Sequence, residues 1–526
     1  MPIPQKVFMR CEALVQRLSS APYAVLLLYL CAGILLKLIY LTASPLWRVD
    51  IFFHIQGAKT ILDGGVLFKD FGNSHPAGIV FLHYALIKLF GYDNLLISLK
   101  AISIILQTVA AYLLYISIIP YHGKKAAFWM GLIFLAAISI NWELWPANIM
   151  LLYIPPMFGA LYCLTRDDFR LSYPSLFIAG LLISLSALIS TNAILFTIVI
   201  PALSWYRKRS LSHMILDSLA GFTGFCIPMV LTFYYFYINN ALADWYYWNI
   251  VWASNYGNYK PFYIRFAKVF LGMLLTWEWI PLYISSFLGL YGIIKERSYK
   301  KDSFAFFALI ILILSVACRF LMLRPNVRYS LYLLPGFLFL LPYAYDHWDY
   351  FTKARRRVIA LLMTFVVISG FIYNSYKTLK NPIAYEGRKE LRDWIVQNTS
   401  PDDKIFVWHE GYEIYYFTKR KMATSIFSPG EFLDHVAIWQ ADQYRHTHIP
   451  WEKFLLEFKK DKPVVVIDLR PDFKPDNDWK REGILKQYFD RFHTLLLHDY
   501  KPLKVINGAK IWKRIESDGT TGLTKK

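Results

Sequence analysis

Apolar runs of about twenty residues recur along the chain, separated by short polar clusters. A run of about twenty apolar residues is what an α-helix needs to cross the hydrocarbon of a bilayer. They lie near 23–43, 95–119, 126–142, 148–165, 174–190, 193–206, 214–238, 267–294, 303–322, 329–345 and 357–376. A shorter run, AGIVFLHYALIKLFG at 77–91, carries His83 and Lys88. Met1–Ser20 is basic and amphipathic, and Tyr23–Ala43 is long for the apolar core of a signal peptide, so it reads as an uncleaved first span.

Charge sets the topology. The basic clusters YHGKK (121–125), RDDFR (166–170), RKR (207–209), KERSYKK (295–301) and KARRR (353–357) all lie between apolar runs. With the N-terminus cytoplasmic and 77–91 lying at the outer interface, every one of them is cytoplasmic, as the positive-inside rule requires. If 77–91 crossed, all would be outside. The pattern predicts a polytopic α-helical membrane protein with about 11 transmembrane helices. One stretch strains it: the 33 residues 174–206 extend only ~50 Å as helix, while two crossings need ~60 Å, so these helices are short and shielded or one is broken.

The outer face then holds 44–94, 143–147, 239–266 and 323–328, together with a C-terminal region, 377–526. KIFVWH and KPVVVIDLR predict strands there, and GRKELRDWIVQ and WEKFLLEFKK predict helices, which makes an extracytoplasmic α/β domain. The domains are therefore 1–376, a transmembrane core with its first outer loop at 44–94, and 377–526.

Composition agrees. The 526 residues are 56% hydrophobic and only 18% charged, with mean hydropathy +0.35. The net charge of +20 sits in the inter-span clusters, so it reports topology rather than nucleic-acid binding. The five cysteines lie in the N-terminal segment or in predicted helices and form no disulfide framework or CxxC metal motif.

The first outer loop is loaded with polar chemistry. In VDIFFHIQGAKTIL, helical spacing puts Asp50 and His54 on one side and Ile51, Ile55, Ala58 and Leu62 on another, so an amphipathic helix lying on the membrane fits. Asp50 suits a helix N-cap, and also a general base at the headgroup plane. Gly64-Gly65 ends the helix; Lys69, Asp70 and His75 follow, then Pro76. Lys69 and His75 suit a phosphate, and a solvated turn explains the same residues.

Arg324 and Arg328, four apart on an outer segment, oppose the inside bias and suit bidentate phosphate binding or lipid headgroups. Glu143 and Asn148 suit a sugar or a helix cap. Lys37, within the first span, suits snorkelling to the interface first and a phosphate second. The Trp- and Tyr-rich stretch 239–266 reads as an interfacial belt or a sugar-stacking platform. PDNDW (475–479) has DxD spacing without supporting context.

Together these segments resemble the GT-C membrane glycosyltransferases that use polyprenyl-phosphate sugars, among them the protein O-mannosyltransferases and lipid A aminoarabinose transferases. The likeness is carried by Asp50, Ala58, Ile61-Leu62-Asp63-Gly64-Gly65, Phe68, Asp70, His75-Pro76 and Leu89-Phe90-Gly91. NWELWPANIMLLYIPPMFG, RPNVRYSLYLLPG and IFVWHEGYEIYYFTKRKMATSIF are similar to later segments of that family. Two positions depart from it: Val49-Asp50-Ile51 offers one acid where many members have two, and Ala77 replaces a second proline.

The resemblance implies transfer of a sugar from a polyprenyl-phosphate donor to a hydroxyl of an envelope lipid, polysaccharide or protein, outside a bacterial plasma (inner) membrane. It implies Asp50 as base in an inverting single displacement, with Arg324, Arg328, Lys69 and His75 on the donor phosphate. Asp70, Glu143 and His54 are the candidates for sugar or acceptor contact or a second acid. No cofactor is demanded; a divalent metal stays open. Two other readings remain: a lipid-linked-sugar flippase or transporter, against which the lack of an evident internal repeat counts, and an envelope polysaccharide ligase.

Overall fold

The computed structural model describes residues 21–42, 49–73, 75–140, 149–252, 262–274, 276–321, 327–346, 365, 368–373, 375–376, 388–408, 411–426, 448–469 and 484–515. The fold is mostly helical with one small sheet, and the chain divides into two compact units. One comprises residues 1–46, 76–235 and 260–382; the other comprises 47–75, 236–259 and 383–526.

The first unit is a bundle of apolar helices. Among the described residues, Leu95–Ser139, Leu211–Ile238 and Ser303–Leu321 are each long and apolar enough to cross a membrane. Leu95–Ile140 is two helices: Pro120 and the left-handed Gly123 (φ 76°) interrupt it where the cluster YHGKK falls between two apolar runs. Small residues let helices approach closely. A Cβ on Gly180 would collide with the Gly221 carbonyl oxygen, and one on Gly224 with that of Phe177, so helices Tyr173–Ile189 and Leu211–Ile238 meet backbone to backbone.

The overcrowded stretch 174–206 is resolved by a break. Helix Tyr173–Ile189 ends at the extended Ser190; a 3-10 segment, Thr191–Ile198, follows and then helix Val199–Lys208. A 3-10 turn rises ~2.0 Å per residue, so the last two pieces reach ~31 Å rather than the ~27 Å of uninterrupted α-helix. Side chains hold the break. The Ser190 hydroxyl meets the Tyr332 hydroxyl, and Asn192 donates to the Cys318 carbonyl at 3.1 Å.

The segment 77–91 forms helix Ala77–Phe90, stopped by Gly91 at φ 82°. Gly78 lies against the Leu188 backbone, which seats this helix on Tyr173–Ile189. His83 is buried with Nδ1 2.7 Å from the Ile79 carbonyl. Lys37 is also buried, at 2% exposure, rather than running out along the surface as snorkelling would have it.

In the second unit a five-stranded sheet has the order β2-β1-β3-β5-β4: β1 Lys404–Trp408, β2 Lys421–Met422, β3 Val465–Asp468, β4 Tyr500–Ile506 and β5 Ala509–Arg514. β1 pairs in parallel with β2 and β3, while β5 is antiparallel to both β3 and β4. Asn507 (φ 49°) and Gly508 (φ 78°) make the β4–β5 turn, the Asn-Gly pairing that tight hairpins favour. Trp408 of β1 stacks on Phe492 at 4.6 Å, and Phe406, Phe454 and Phe458 complete an aromatic core under helices His448–Asp461 and Ile484–Asp499. Arg420 caps two helix ends at once through the carbonyls of Val396, Thr399 and Thr418.

Candidate functional site

Residues 47–75, which the sequence reading takes as the first outer loop, belong to this second unit. Helix Val49–Leu62 begins with Val49 and Asp50, so Asp50 stands in its first turn. Spacing alone leads one to expect a wet polar face on this helix, yet Ile51 to Ala58 are all buried. The reason is helix Tyr412–Thr418, which covers it: Phe52 packs on Tyr416 and Phe417 at 5.4 and 5.6 Å, and Phe53 on Tyr412 at 5.5 Å. His54, which spacing put on the wet face with Asp50, is fully buried, its ring set edge-on to His75 at 4.9 Å.

After Gly64 the chain folds into a small knot. Leu67, Phe68 and Phe71 are fully buried, and Phe68 adopts a left-handed φ of 69° to bring its amide to the Phe71 carbonyl at 2.9 Å. The Asp70 carboxylate accepts the Val66 N–H at 2.7 Å, and the Asp70 N–H donates to the Val66 carbonyl at 2.8 Å. Asp70 therefore closes the turn, which gives it a structural task. Lys69 remains on the exposed tip. His75 is half-buried, and its N–H donates to the side chain of the buried Asn73 at 2.8 Å.

The structure thus gathers the Asp50 helix, His54, Lys69, Asp70 and His75 into one unit. Arg328 belongs to the other, in the 3-10 helix Val327–Leu333. Arg324, Glu143, Asn148 and the PDNDW turn lie outside the described residues, as do residues 253–261 of the aromatic stretch. Among the described residues no three His, Cys, Asp or Glu side chains gather as a metal would need.

Sequence reading missed two charged residues. Asp244, inside the aromatic stretch, lies in the electrostatic field of Lys453, Lys69 and Asp70. Burial raises its carboxyl above the ordinary carboxylate value; Lys453 and Lys69 oppose that, and Asp70 adds to it. Arg319 is fully buried in the last turn of Ser303–Leu321, with Tyr283, Tyr329 and Tyr332 as its electrostatic neighbours. The only sequence signal for it is an arginine ending an apolar run.

No protein-family model matches the chain, and no curated protein matches it in sequence. Its fold does have solved counterparts. ArnT from Cupriavidus metallidurans in the apo state superposes with a TM-score of 0.58 at 11% identity, covering 93% of this chain and 97% of that one. The same protein bound to undecaprenyl phosphate gives 0.56 at 11% identity, covering 93% and 98%. The archaeal oligosaccharyltransferase AglB from Archaeoglobus fulgidus, in complex with an inhibitory peptide and a dolichol-phosphate, gives 0.50 at 11%, covering 85% and 69%. The chain has the GT-C membrane fold, helical core and small C-terminal sheet included.

Proposed function

We propose that this protein is a membrane glycosyltransferase that moves a sugar from a polyprenyl-phosphate donor to an acceptor hydroxyl at the outer face of the plasma membrane. The observation that carries the reading is the likeness in fold, along 93% of the chain, to a protein solved with undecaprenyl phosphate. The loaded first loop supports it, because its polar residues are held on a compact scaffold rather than strewn along a solvated linker.

The chemistry is one displacement. The acceptor O–H gives its proton to the Asp50 carboxylate as its oxygen attacks the anomeric carbon. The bond from that carbon to the phosphate oxygen breaks, the lipid phosphate leaves with the electron pair, and configuration inverts. Negative charge grows on the phosphate during this step, so cations fixed in advance lower the barrier most. Arg324, Arg328, Lys69 and His75 take that role; the planar fork of an arginine suits a phosphate. Glu143 and Asp70 remain the candidates for sugar and acceptor contact; His54, fully buried, does not.

The test is sugar transfer by purified protein in liposomes, with labelled polyprenyl-phosphate sugars and an envelope extract as acceptor. Asp50→Asn is expected to bind the lipid donor and to lose transfer by 100-fold or more, on the order of what a general base contributes. Full activity in Asp50→Asn returns Asp50 to a capping role. Wild type that moves no sugar but passes lipid between leaflets is a flippase instead.

A further inference from the structure

The C-terminal domain grips the first outer loop by a short chain of hydrogen bonds. The Gly72 N–H donates to the Ser425 carbonyl at 2.9 Å. Ser425 in turn gives its own N–H to Glu457 at 2.6 Å and its hydroxyl to the same carboxylate at 2.7 and 2.9 Å. One helical turn earlier, the Lys453 ammonium donates to the Lys69 carbonyl and stands 4.0 Å from Glu457. Lys453 and Glu457 thus reach both ends of the four residues Lys69–Gly72 from one helix, His448–Asp461.

This grip acts on backbone, not on side chains. It fixes where the chain runs between Lys69 and the buried Asn73 that holds the His75 amide, while the Lys69 side chain stays exposed. A carboxylate taking two hydrogen bonds from one serine is a strong anchor, because bonds to an ionised acceptor are about twice as strong as neutral ones. A C-terminal domain needed only for bulk stability would have no reason to spend a half-buried carboxylate on a loop almost 400 residues upstream; Lys453 and Lys69 are 384 apart.

We propose that Glu457 is a positioning residue: through Ser425, and with Lys453 beside it, it sets the first outer loop so that Lys69 and His75 meet the donor's phosphate. The inference rests on the donor-site reading above and adds to it that the C-terminal domain is part of the site's framework.

Hydrogen exchange and ligand binding on the full-length protein in detergent test it together. In Glu457→Ala the amides of residues 66–73 are expected to exchange about tenfold faster, while strands β1 and β3 keep their protection. Affinity for a polyprenyl phosphate is expected to fall about tenfold, a loss of ~1.4 kcal/mol. Glu457→Gln, which still offers an oxygen to the Ser425 N–H, recovers most of both. If Glu457→Ala loosens the strands as well, Lys453→Ala decides, since it must speed exchange at 66–73 alone. Unchanged loop exchange in these variants overturns the grip. Faster exchange with unchanged affinity overturns the positioning role. Wild type that binds no polyprenyl phosphate overturns the donor-site reading and, with it, what the loop is positioned for.

Discussion

Gly72 lies flat against the Trp248 indole: a Cβ built on it would overlap the ring, with Cε2 at 2.9 Å and Cη2 at 3.0 Å. Trp248 is itself buried and packs on Trp252 at 5.5 Å, so the ring has little freedom to withdraw. The aromatic stretch that reads as a membrane belt thus puts at least one of its tryptophans onto the first outer loop.

Gly72→Ala is therefore expected to destabilise the second unit by ~1–3 kcal/mol, the usual cost of forcing extra volume into a packed site. Adding Trp248→Ala should recover part of that loss, a coupling that a double-mutant cycle on thermal unfolding measures. Strict additivity of the two substitutions would mean that they do not meet.

Much of the fold was legible because membrane helices announce themselves by length and composition, and strands by β-branched and aromatic runs. KIFVWH and KPVVVIDLR became β1 and β3. The trouble with 174–206 was visible as an arithmetic shortfall, and the structure answers it with the 3-10 segment Thr191–Ile198. What covers a helix is not local information. Spacing gave helix Val49–Leu62 a polar face, but its cover, Tyr412–Thr418, lies some 350 residues on, so the burial of His54 could not be read. Asp244 was hidden for a related reason, since its neighbours Lys69 and Lys453 are distant in sequence.

Arg420 illustrates a role that composition conceals. It is 7% exposed and donates to four acceptors: the Thr399 hydroxyl at 2.8 Å, and the carbonyls of Thr418, Val396 and Thr399 at 2.7, 3.1 and 2.7 Å. Helix Lys389–Asn398 and helix Tyr412–Thr418 both end at this guanidinium. Arg420→Met keeps the volume but strands those carbonyls, so a loss of ~3 kcal/mol is expected, with faster proteolysis of the C-terminal domain. Arg420→Lys should rescue little, because one ammonium cannot span the same set. Wild-type protease resistance in Arg420→Met would remove the capping role.

Gly180 tests the helical unit. Its contact with the Gly221 carbonyl leaves no space for a side chain, and backbone on both sides cannot move aside as a rotamer can. Gly180→Leu is expected to abolish the folded, monodisperse species in detergent, while Gly91→Ala, with open space around its Cβ, suffers only backbone strain of ~1–3 kcal/mol. Equal effects of the two would mean that helices Tyr173–Ile189 and Leu211–Ile238 do not meet at these glycines.

Asp244 gives the second unit a pH dependence whose sign is fixed. Its carboxyl is raised from the ordinary 3.8, first by burial, so the folded state holds that proton more tightly than the unfolded chain does. The stabilisation this brings is fully present below 3.8 and is lost as pH rises through the raised value. At neutral pH the folded protein therefore carries an unfavourable charge that Lys453 and Lys69 offset only in part. Asp244→Asn removes that charge. The variant is expected to melt at a slightly higher temperature than wild type at about pH 7, and the gain should shrink towards zero as pH falls to about 4. The effect stays small because the group is only half-buried and water screens it. A variant that melts lower than wild type at neutral pH would show that the two lysines, not burial, govern this carboxylate, and would make the ion pairs around Lys69 a support of the loop rather than a partial compensation.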